Sequence, residues 1–182
     1  LKLSDMQALI FNRGPGAFSG IRINTAVVQA LSVAHDLPCV GVSSLQAIAQ
    51  SAHKQYGLAQ VYSALDARMQ QVYFGEYALK NSIMQPVFDN ILTSVDEEES
   101  TERLMDYELK TELDLPIVGN GAELLSLHEA QISHEDVCPD AVIIGQLGIA
   151  QFMSEGGTQA AQALPKYLRN QAWKTLKEQG KA

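Results

Sequence analysis

The chain has 182 residues, in which 13 Lys and Arg stand against 21 Asp and Glu, giving a formal net charge of -8. A surface that is acidic as a whole repels a phosphate backbone, so contact with a nucleic acid would need a local basic patch or a basic partner. A hydrophobic content of 46% is enough for a real core. The longest apolar stretches are too short to span a bilayer, and no membrane role is indicated.

Cys39 and Cys138 are far apart in the sequence, and each lies among apolar residues. Their number and spacing fit neither a disulfide framework nor a zinc site. We therefore expect two buried free thiols in a cytoplasmic protein. The chain begins at Leu1 without a signal-peptide pattern, so we expect it to be a fragment that lacks an upstream segment.

The first predicted element is a short buried strand at residues 7–12, which ends at a Gly/Pro cluster. A helix follows, with Ser19 or Gly20 as its N-cap, and Pro38 ends it. The next predicted elements are a buried strand at residues 38–42 and a helix capped by Ser43 or Ser44 that runs through residue 52.

The middle of the chain predicts a hairpin, because residues 61–65 and 72–79 are rich in Val, Tyr and Phe and flank the turn residues 66–69. A third strand is predicted around residues 86–92. Ser94 and Glu97 form a capping-box pattern that opens a helix to about residue 113. The remaining predicted elements are a strand at residues 115–118, a turn at 119–121, a short helix at 122–128 and a helix from Pro139 or Asp140 to about residue 153.

The order of these elements predicts an α/β fold with mixed sheets in two lobes. The predicted division places the N-terminal lobe in residues 1–56, the C-terminal lobe in residues 57–164 and a tail in residues 165–182.

A glycine-rich loop lies between the first strand and the first helix, where backbone N–H groups could be aimed at an anion. The loop has no Gly-Lys-Ser/Thr ending, so it lacks the lysine and the hydroxyl of a P-loop. Two interpretations remain open: a sharp, closely packed turn, or an anion site bracketed by two arginines. The residues concerned are Arg13, Gly14, Pro15, Gly16, Gly20 and Arg22.

The helix after the loop has no Asp, Glu, Lys or Arg between residues 23 and 35. A surface helix normally has a charged stripe, so this helix is either central in its lobe or has an outer face that meets another protein. A missing upstream segment could also cover that face. The candidate interface residues are Ile21, Ile23, Val27, Val28 and Leu31.

Residues that could do catalysis are few. The four histidines form no helical pair, and there is no HExxH or G-x-S-x-G motif. His128 and His134 flank acidic residues, and we interpret this segment as a surface loop rather than a metal site. Asp66 and Arg68 at the predicted hairpin tip could polarise a substrate, but such pairs more often satisfy the turn itself.

The segment RGPGAFSGIRINTAVVQALSVAHDLPCVGVSSLQAIA, the Asp66-Ala67-Arg68 hairpin and the closing PKYLRN motif together resemble the TsaB/YeaZ family. The resemblance implies an actin-like two-lobe fold, of the ASKHA and RNase H-like type, whose first lobe is incomplete in this chain. It also implies a non-catalytic scaffold that binds TsaD, together with TsaE, for threonylcarbamoylation of the tRNA adenosine next to the anticodon. In this assembly ATP and a metal are expected to belong to the partner subunits, and tRNA to be contacted only through the complex.

The resemblance also carries departures and alternatives. The family's first strands and first helix are expected to lie before Leu1; that helix would join residues 20–34 in pairing with TsaD or with a second copy of the chain. The hairpin turn has no glycine of the kind that holds phosphate in kinases of this fold, so we predict that the isolated chain does not bind ATP appreciably. A metallopeptidase, or a kinase-like enzyme of the same fold, is the alternative.

Overall fold

A computed structural model of the protein describes residues 2–87, 101–108, 113–125 and 131–169. These residues form an α/β structure with one parallel and one mixed sheet, as predicted from the order of elements. The elements in chain order are β1 (Leu9–Gly14), α1 (Phe18–His35), β2 (Cys39–Ser43), α2 (Ser44–Tyr56), β3 (Gln60–Arg68), β4 (Gln71–Lys80), β5 (Ile83–Pro86), β6 (Glu102–Asp106), β7 (Ile117–Val118), β8 (Ser133–His134) and α3 (Ala141–Glu155).

The first sheet consists of β1 and β2, which pair in parallel. Their side chains alternate between two faces, and α1 covers one of them through the contact of Val28 with Phe11 and Cys39. On the other face α3 lies so close to β1 that a Cβ added at Gly148 would be 2.2 Å from Cγ2 of Ile10. Helices therefore cover both faces of this sheet.

The second sheet has the order β5-β4-β3-β7-β8, and β6 also pairs with β4. The strands from β3 to β6 are antiparallel, whereas β7 joins β3 and β8 in parallel. Helix α2 packs on this sheet through Leu45 and Ile48, which are fully buried with Val61 and Tyr77. Because α2 also contacts β1 and β2, it links the two sheets.

The predicted cap of α2 and the predicted start of α3 are confirmed, whereas the predicted cap of α1 is wrong. The Ser43 side chain accepts hydrogen bonds from backbone N–H groups at the start of α2, and Asp140 does the same for α3. Helix α1 instead begins at Phe18, with Ala17 as N-cap and no side-chain hydrogen bond. Ser19 lies inside the first turn, where its side chain cannot serve as the cap.

The predicted helix up to residue 113 is wrong where the structure describes it, because Glu102–Asp106 is strand β6, paired with β4. Its capping-box residues, Ser94 and Glu97, lie outside the described residues. The third strand is β5, which ends at Pro86, whereas it was predicted at residues 86–92. Residues 122–125 of the predicted helix at 122–128 are described: Ala122–Leu124 is a single 3-10 turn, and Leu125 follows it with extended backbone.

The cysteine prediction is confirmed for Cys39, which is buried, and wrong for Cys138, which is exposed in the loop before α3. None of the helices in the described ranges is long and apolar enough to cross a membrane.

Helix α3, which the predicted boundaries assign to the C-terminal lobe, packs on the first sheet. The lobe boundaries themselves stay a prediction.

Candidate functional site

Three segments that are distant in sequence meet around one cavity of about 570 Å³. They are the loop and first turn of α1 at residues 16–21, the β3–β4 hairpin tip at residues 65–69, and the closing segment, which we define as residues 164–169. Tyr73 and Asn120 complete the wall. The parts of the family motif therefore converge on a single place in the fold.

The glycine-rich loop is held by the side chain of Asn12. Its Oδ1 accepts hydrogen bonds from the Gly14 N–H at 2.8 Å and from the Ser44 hydroxyl at 2.7 Å. Gly14 has a φ of +99°, which residues with a side chain rarely adopt. The loop is thus a sharp turn that requires glycine at position 14, whereas Gly20 has ordinary space around it.

The two arginines that bracket the loop point to different places. The Arg22 guanidinium carbon lies 3.8 Å from the Phe18 ring centroid, and Arg22 Nε donates a hydrogen bond to the Tyr167 hydroxyl at 2.8 Å. Arg13 instead lies over Gly41 and lines a separate cavity of about 170 Å³. The arginine side chains therefore do not converge on one site.

Asp66 is engaged within the hairpin tip. Its carboxylate is 2.8 Å from the Arg68 guanidinium and also accepts the Arg68 backbone N–H at 2.7 Å. The Tyr107 hydroxyl is 3.3 Å from Asp66 Oδ1, and burial together with the charge of Asp66 raises the pKa of Tyr107. These contacts match the local role expected for an Asp/Arg pair in a turn.

The turn of this hairpin lies two residues further on than predicted, at residues 68–71 instead of 66–69, because Arg68 pairs with Gln71 across Met69 and Gln70. Arg68, Met69 and Gln70 have φ values of 63°, 56° and 59°. Left-handed backbone costs a residue with a side chain roughly 1 kcal/mol, and two-residue turns of this kind favour Asn-Gly. The tip therefore holds three residues that are locally unfavourable.

We expect Met69→Asn to raise the free energy of unfolding by about 0.5 kcal/mol, because Asn tolerates left-handed backbone better than Met. The contact that is lost, from an Arg169 guanidinium nitrogen to the weak acceptor Met69 Sδ at 2.8 Å, is worth less than this gain. Urea denaturation followed by circular dichroism measures the change. The β4–β5 turn provides the matched control: it has Asn81 at φ 51°, and Asn81→Met should lower stability by a similar amount. A Met69→Asn protein that is no more stable than the wild type would contradict the interpretation.

Arg169 of the closing segment holds this tip in place. One guanidinium nitrogen donates hydrogen bonds to the carbonyl oxygens of Ala67 and Arg68, each at 3.2 Å, and to Gln71 Oε1 at 2.8 Å. The backbone N–H of Lys166 donates to the Arg13 carbonyl at 2.8 Å. The closing segment thereby connects the end of β1 with the hairpin.

A buried carboxylate lies behind the closing segment. The Glu102 side chain is 4% exposed, and its Oε1 accepts hydrogen bonds from the hydroxyls of Ser43 and Tyr77. Its Oε2 is 3.1 Å from Lys166 Nζ. A carboxylate at this depth is costly unless it is paired, so Lys166 is its essential partner.

Sequence reasoning missed this cluster because its four residues are spread over more than 120 positions and Glu102 was predicted to lie in a helix. The one signal for this cluster in the sequence was Lys166, the cation between Pro165 and Tyr167 in the closing motif.

Burial, followed by the charge of Glu102, raises the pKa of Tyr77 well above its ordinary value of 10.0. The folded protein therefore holds this proton more tightly than the unfolded chain does. The resulting stability is complete below pH 10 and is lost as the pH rises above that value. We expect the free energy of unfolding to fall more steeply between pH 10 and about 11.5 in the wild type than in Tyr77→Phe. Equal slopes in denaturant titrations would overturn this prediction.

Helix α1 has an exposed apolar face. Ile23 is 65% exposed, Val27 53% and Val33 76%, and Ala26, Ala30 and Ala34 are also exposed. We define these six residues as the α1 face. With no charged residue among them, this surface differs from the solvated face of an ordinary helix.

The five predicted interface residues separate by burial. Ile23 and Val27 belong to the α1 face, whereas Ile21 and Leu31 are half-buried. Val28 is only 8% exposed and packs in the core beneath α1, so it is unavailable to a partner and its assignment to an interface is corrected.

In the described part of the chain, no three His, Cys, Asp or Glu side chains lie close enough together to hold a metal ion.

Comparison with known proteins places these features in a family. Residues 1–177 match the family described as TsaD: tRNA N6-adenosine threonylcarbamoyltransferase. The tRNA threonylcarbamoyladenosine biosynthesis protein TsaB of Escherichia coli K12 is 33% identical, over 96% of this chain and 76% of that protein. The TsaB protein of Haemophilus influenzae is 28% identical, over 97% and 76%.

Among solved structures, a Pseudomonas aeruginosa protein described as similar to peptidase YeaZ superposes with a TM-score of 0.78. It is 31% identical, over 93% of this chain and 76% of that one. The predicted actin-like fold is confirmed by this similarity together with the family match. The chain belongs to the TsaB/YeaZ family, within the wider group that includes TsaD.

Proposed function

We propose that this chain takes part in tRNA threonylcarbamoyladenosine biosynthesis as a non-catalytic subunit that binds TsaD through the α1 face. The names of its relatives support the process. The observation that carries the proposed role is the exposed, uncharged apolar surface formed by Ile23, Val27 and Val33.

Burial of this face would supply useful binding energy. Full burial of a Val or Ile side chain is worth roughly 1.5–3 kcal/mol, and these three are already partly covered by α1 itself. We therefore expect burial of each of these three side chains to contribute about 1 kcal/mol to the free energy of binding. The alanines between them let a second helix approach closely, which favours a helix of the partner as the occupant.

The other subunits supply the remaining chemistry in this proposal. TsaD transfers the threonylcarbamoyl group with its metal, TsaE hydrolyses ATP, and tRNA is contacted through the complex in the cytoplasm. The hairpin tip supports the absence of ATP binding by this chain, because Met69 and Gln70 replace the glycines that would approach a phosphate. A homodimer through the same face is the competing use of α1.

Reconstitution tests the proposal. Purified TsaD and TsaE are mixed with ATP, tRNA and a threonylcarbamoyl donor, with and without this chain, and the modified nucleoside is measured by mass spectrometry. We expect modification to depend on the chain, and the chain to co-elute with TsaD in gel filtration. Modification that proceeds equally well in its absence would overturn the proposed role.

A further inference from the structure

We call the exposed side of the 570 Å³ cavity its mouth. Several cationic side chains lie there, although the chain as a whole is acidic. Lys166 and Arg169 line the cavity with Arg68, and Arg22 lies at its edge beside Phe18. The carboxylates paired with these cations are Asp66 and the buried Glu102. Asp106 also lies at the tip, because Gln71 binds both its carboxylate and Arg169. Among the described residues, four cations therefore stand against three carboxylates here, an excess of one positive charge on a chain with a net charge of -8.

The rim of the mouth is apolar and reaches into solvent. Met69 is 75% exposed, and the rings of Phe18 and Tyr167 are each about half exposed. The Arg68 side chain is 87% exposed next to them. A cation surrounded by solvent-facing apolar groups is suited to a ligand that has both a negative charge and an apolar part.

The hairpin tip keeps Arg68 and Met69 at left-handed positions where other residues would be more stable. Strain of this kind concentrates at binding sites, because side chains there are retained for what they contact. Arg169 bonds to the carbonyls of Ala67 and Arg68 and so holds the strained tip in one conformation. The side chains of Arg68 and Met69 are thereby presented in a fixed position.

We propose that this mouth binds an acidic segment of a protein partner, with a carboxylate at Arg68 and an adjacent apolar side chain on Met69 and Phe18. The identity of the partner rests on the proposed function: it is the same TsaD subunit that meets the α1 face. The mouth and that face adjoin on α1, since Arg22 lies one turn before Ala26 of the α1 face and both residues are exposed.

A protein segment fits this surface better than single-stranded RNA. Stacking of a base needs an open aromatic face, and one face of the Phe18 ring is already covered by the Arg22 guanidinium at 3.8 Å. Met69, the most exposed member of the rim, has no ring on which a base could stack. The net charge of -8 would repel a longer phosphate backbone.

The test measures the affinity of purified TsaD for variants of the chain by calorimetry. We expect Arg68→Glu to weaken binding at least about tenfold at low salt, and the difference to shrink as salt screens the charges. Lys80→Glu is the matched control, because Lys80 is exposed at the far end of β4, roughly 30 Å from the tip, and should change the affinity less than about twofold.

Met69→Asn is the second variant, since it should stabilise the hairpin while it removes the apolar contact. We expect weaker TsaD binding by a protein that is at least as stable as the wild type. Unchanged affinity for TsaD in both Arg68→Glu and Met69→Asn would overturn the inference. If Val27→Glu still lost TsaD binding in that case, the proposed function would stand, because it depends on the α1 face alone. If Arg68→Glu instead weakened binding of tRNA alone in a filter assay, with TsaD affinity intact, the protein partner would be the wrong occupant.

Discussion

Val27→Glu is expected to weaken the binding of TsaD by at least about a hundredfold, because an unpaired carboxylate buried in an apolar contact costs several kcal/mol. Val27 lies at the middle of the α1 face and is 53% exposed, so the substitution leaves the folded core untouched. Calorimetric titration with TsaD measures the loss, and circular dichroism checks the fold.

The matched control is Val142→Glu on α3, a second exposed valine on an apolar helix. We expect this protein to bind TsaD as the wild type does. Val28→Glu is unsuitable as a test, since burial of Val28 under α1 would make the chain unfold. Binding that survives Val27→Glu in a folded protein would assign the α1 face to another use, and gel filtration of the free chain would then test for a homodimer.

Lys166→Met is expected to lower the free energy of unfolding by about 3 kcal/mol, because it removes the ion pair between Lys166 and the buried Glu102 carboxylate. Met preserves most of the aliphatic stem, so the loss reports the charge and little of the packing. This expected loss of stability is at the lower end of the range for a broken buried ion pair, since Lys166 is about a quarter exposed and water screens part of the interaction. Lys80→Met, at an exposed position, should change stability by less than about 0.5 kcal/mol.

A double-mutant cycle gives the decisive result for this pair. In Glu102→Gln the neutral side chain can still accept hydrogen bonds from the hydroxyls of Ser43 and Tyr77. The combined variant with Lys166→Met should therefore be more stable than Lys166→Met alone, giving a coupling energy of at least about 1 kcal/mol. Additive effects would mean that Lys166 stabilises the closing segment in some other way.

Local sequence signals predicted the first half of the fold well. The strands β1 and β2 are short apolar runs next to Pro and Gly, and the pair Ser43-Ser44 marks the start of α2, with Ser43 as its cap. These features are decided by a few adjacent residues. The same holds for Asp140, whose carboxylate caps α3.

The predictions that failed depend on contacts between distant residues. Glu102–Asp106 has no strong local preference and becomes a strand because β4 offers it an edge for pairing. The turn at Met69 and Gln70 contains no turn-forming residue, so the sequence pattern predicted the turn two positions too early. The two apolar sides of α1 are equivalent in composition, and only packing on β1 distinguishes the buried Val28 from the exposed Val27.

The closing segment is also among the last parts of the described chain to leave the ribosome. Every other wall of the cavity is synthesised earlier, yet the ion pair of Glu102 with Lys166 and the hydrogen bonds of Arg169 to the hairpin form only when residues 166–169 have been added. A nascent chain that stops before this point would contain α1 and the hairpin without the link between them. A shortened product that ends before residue 166 would therefore lack one wall of the cavity.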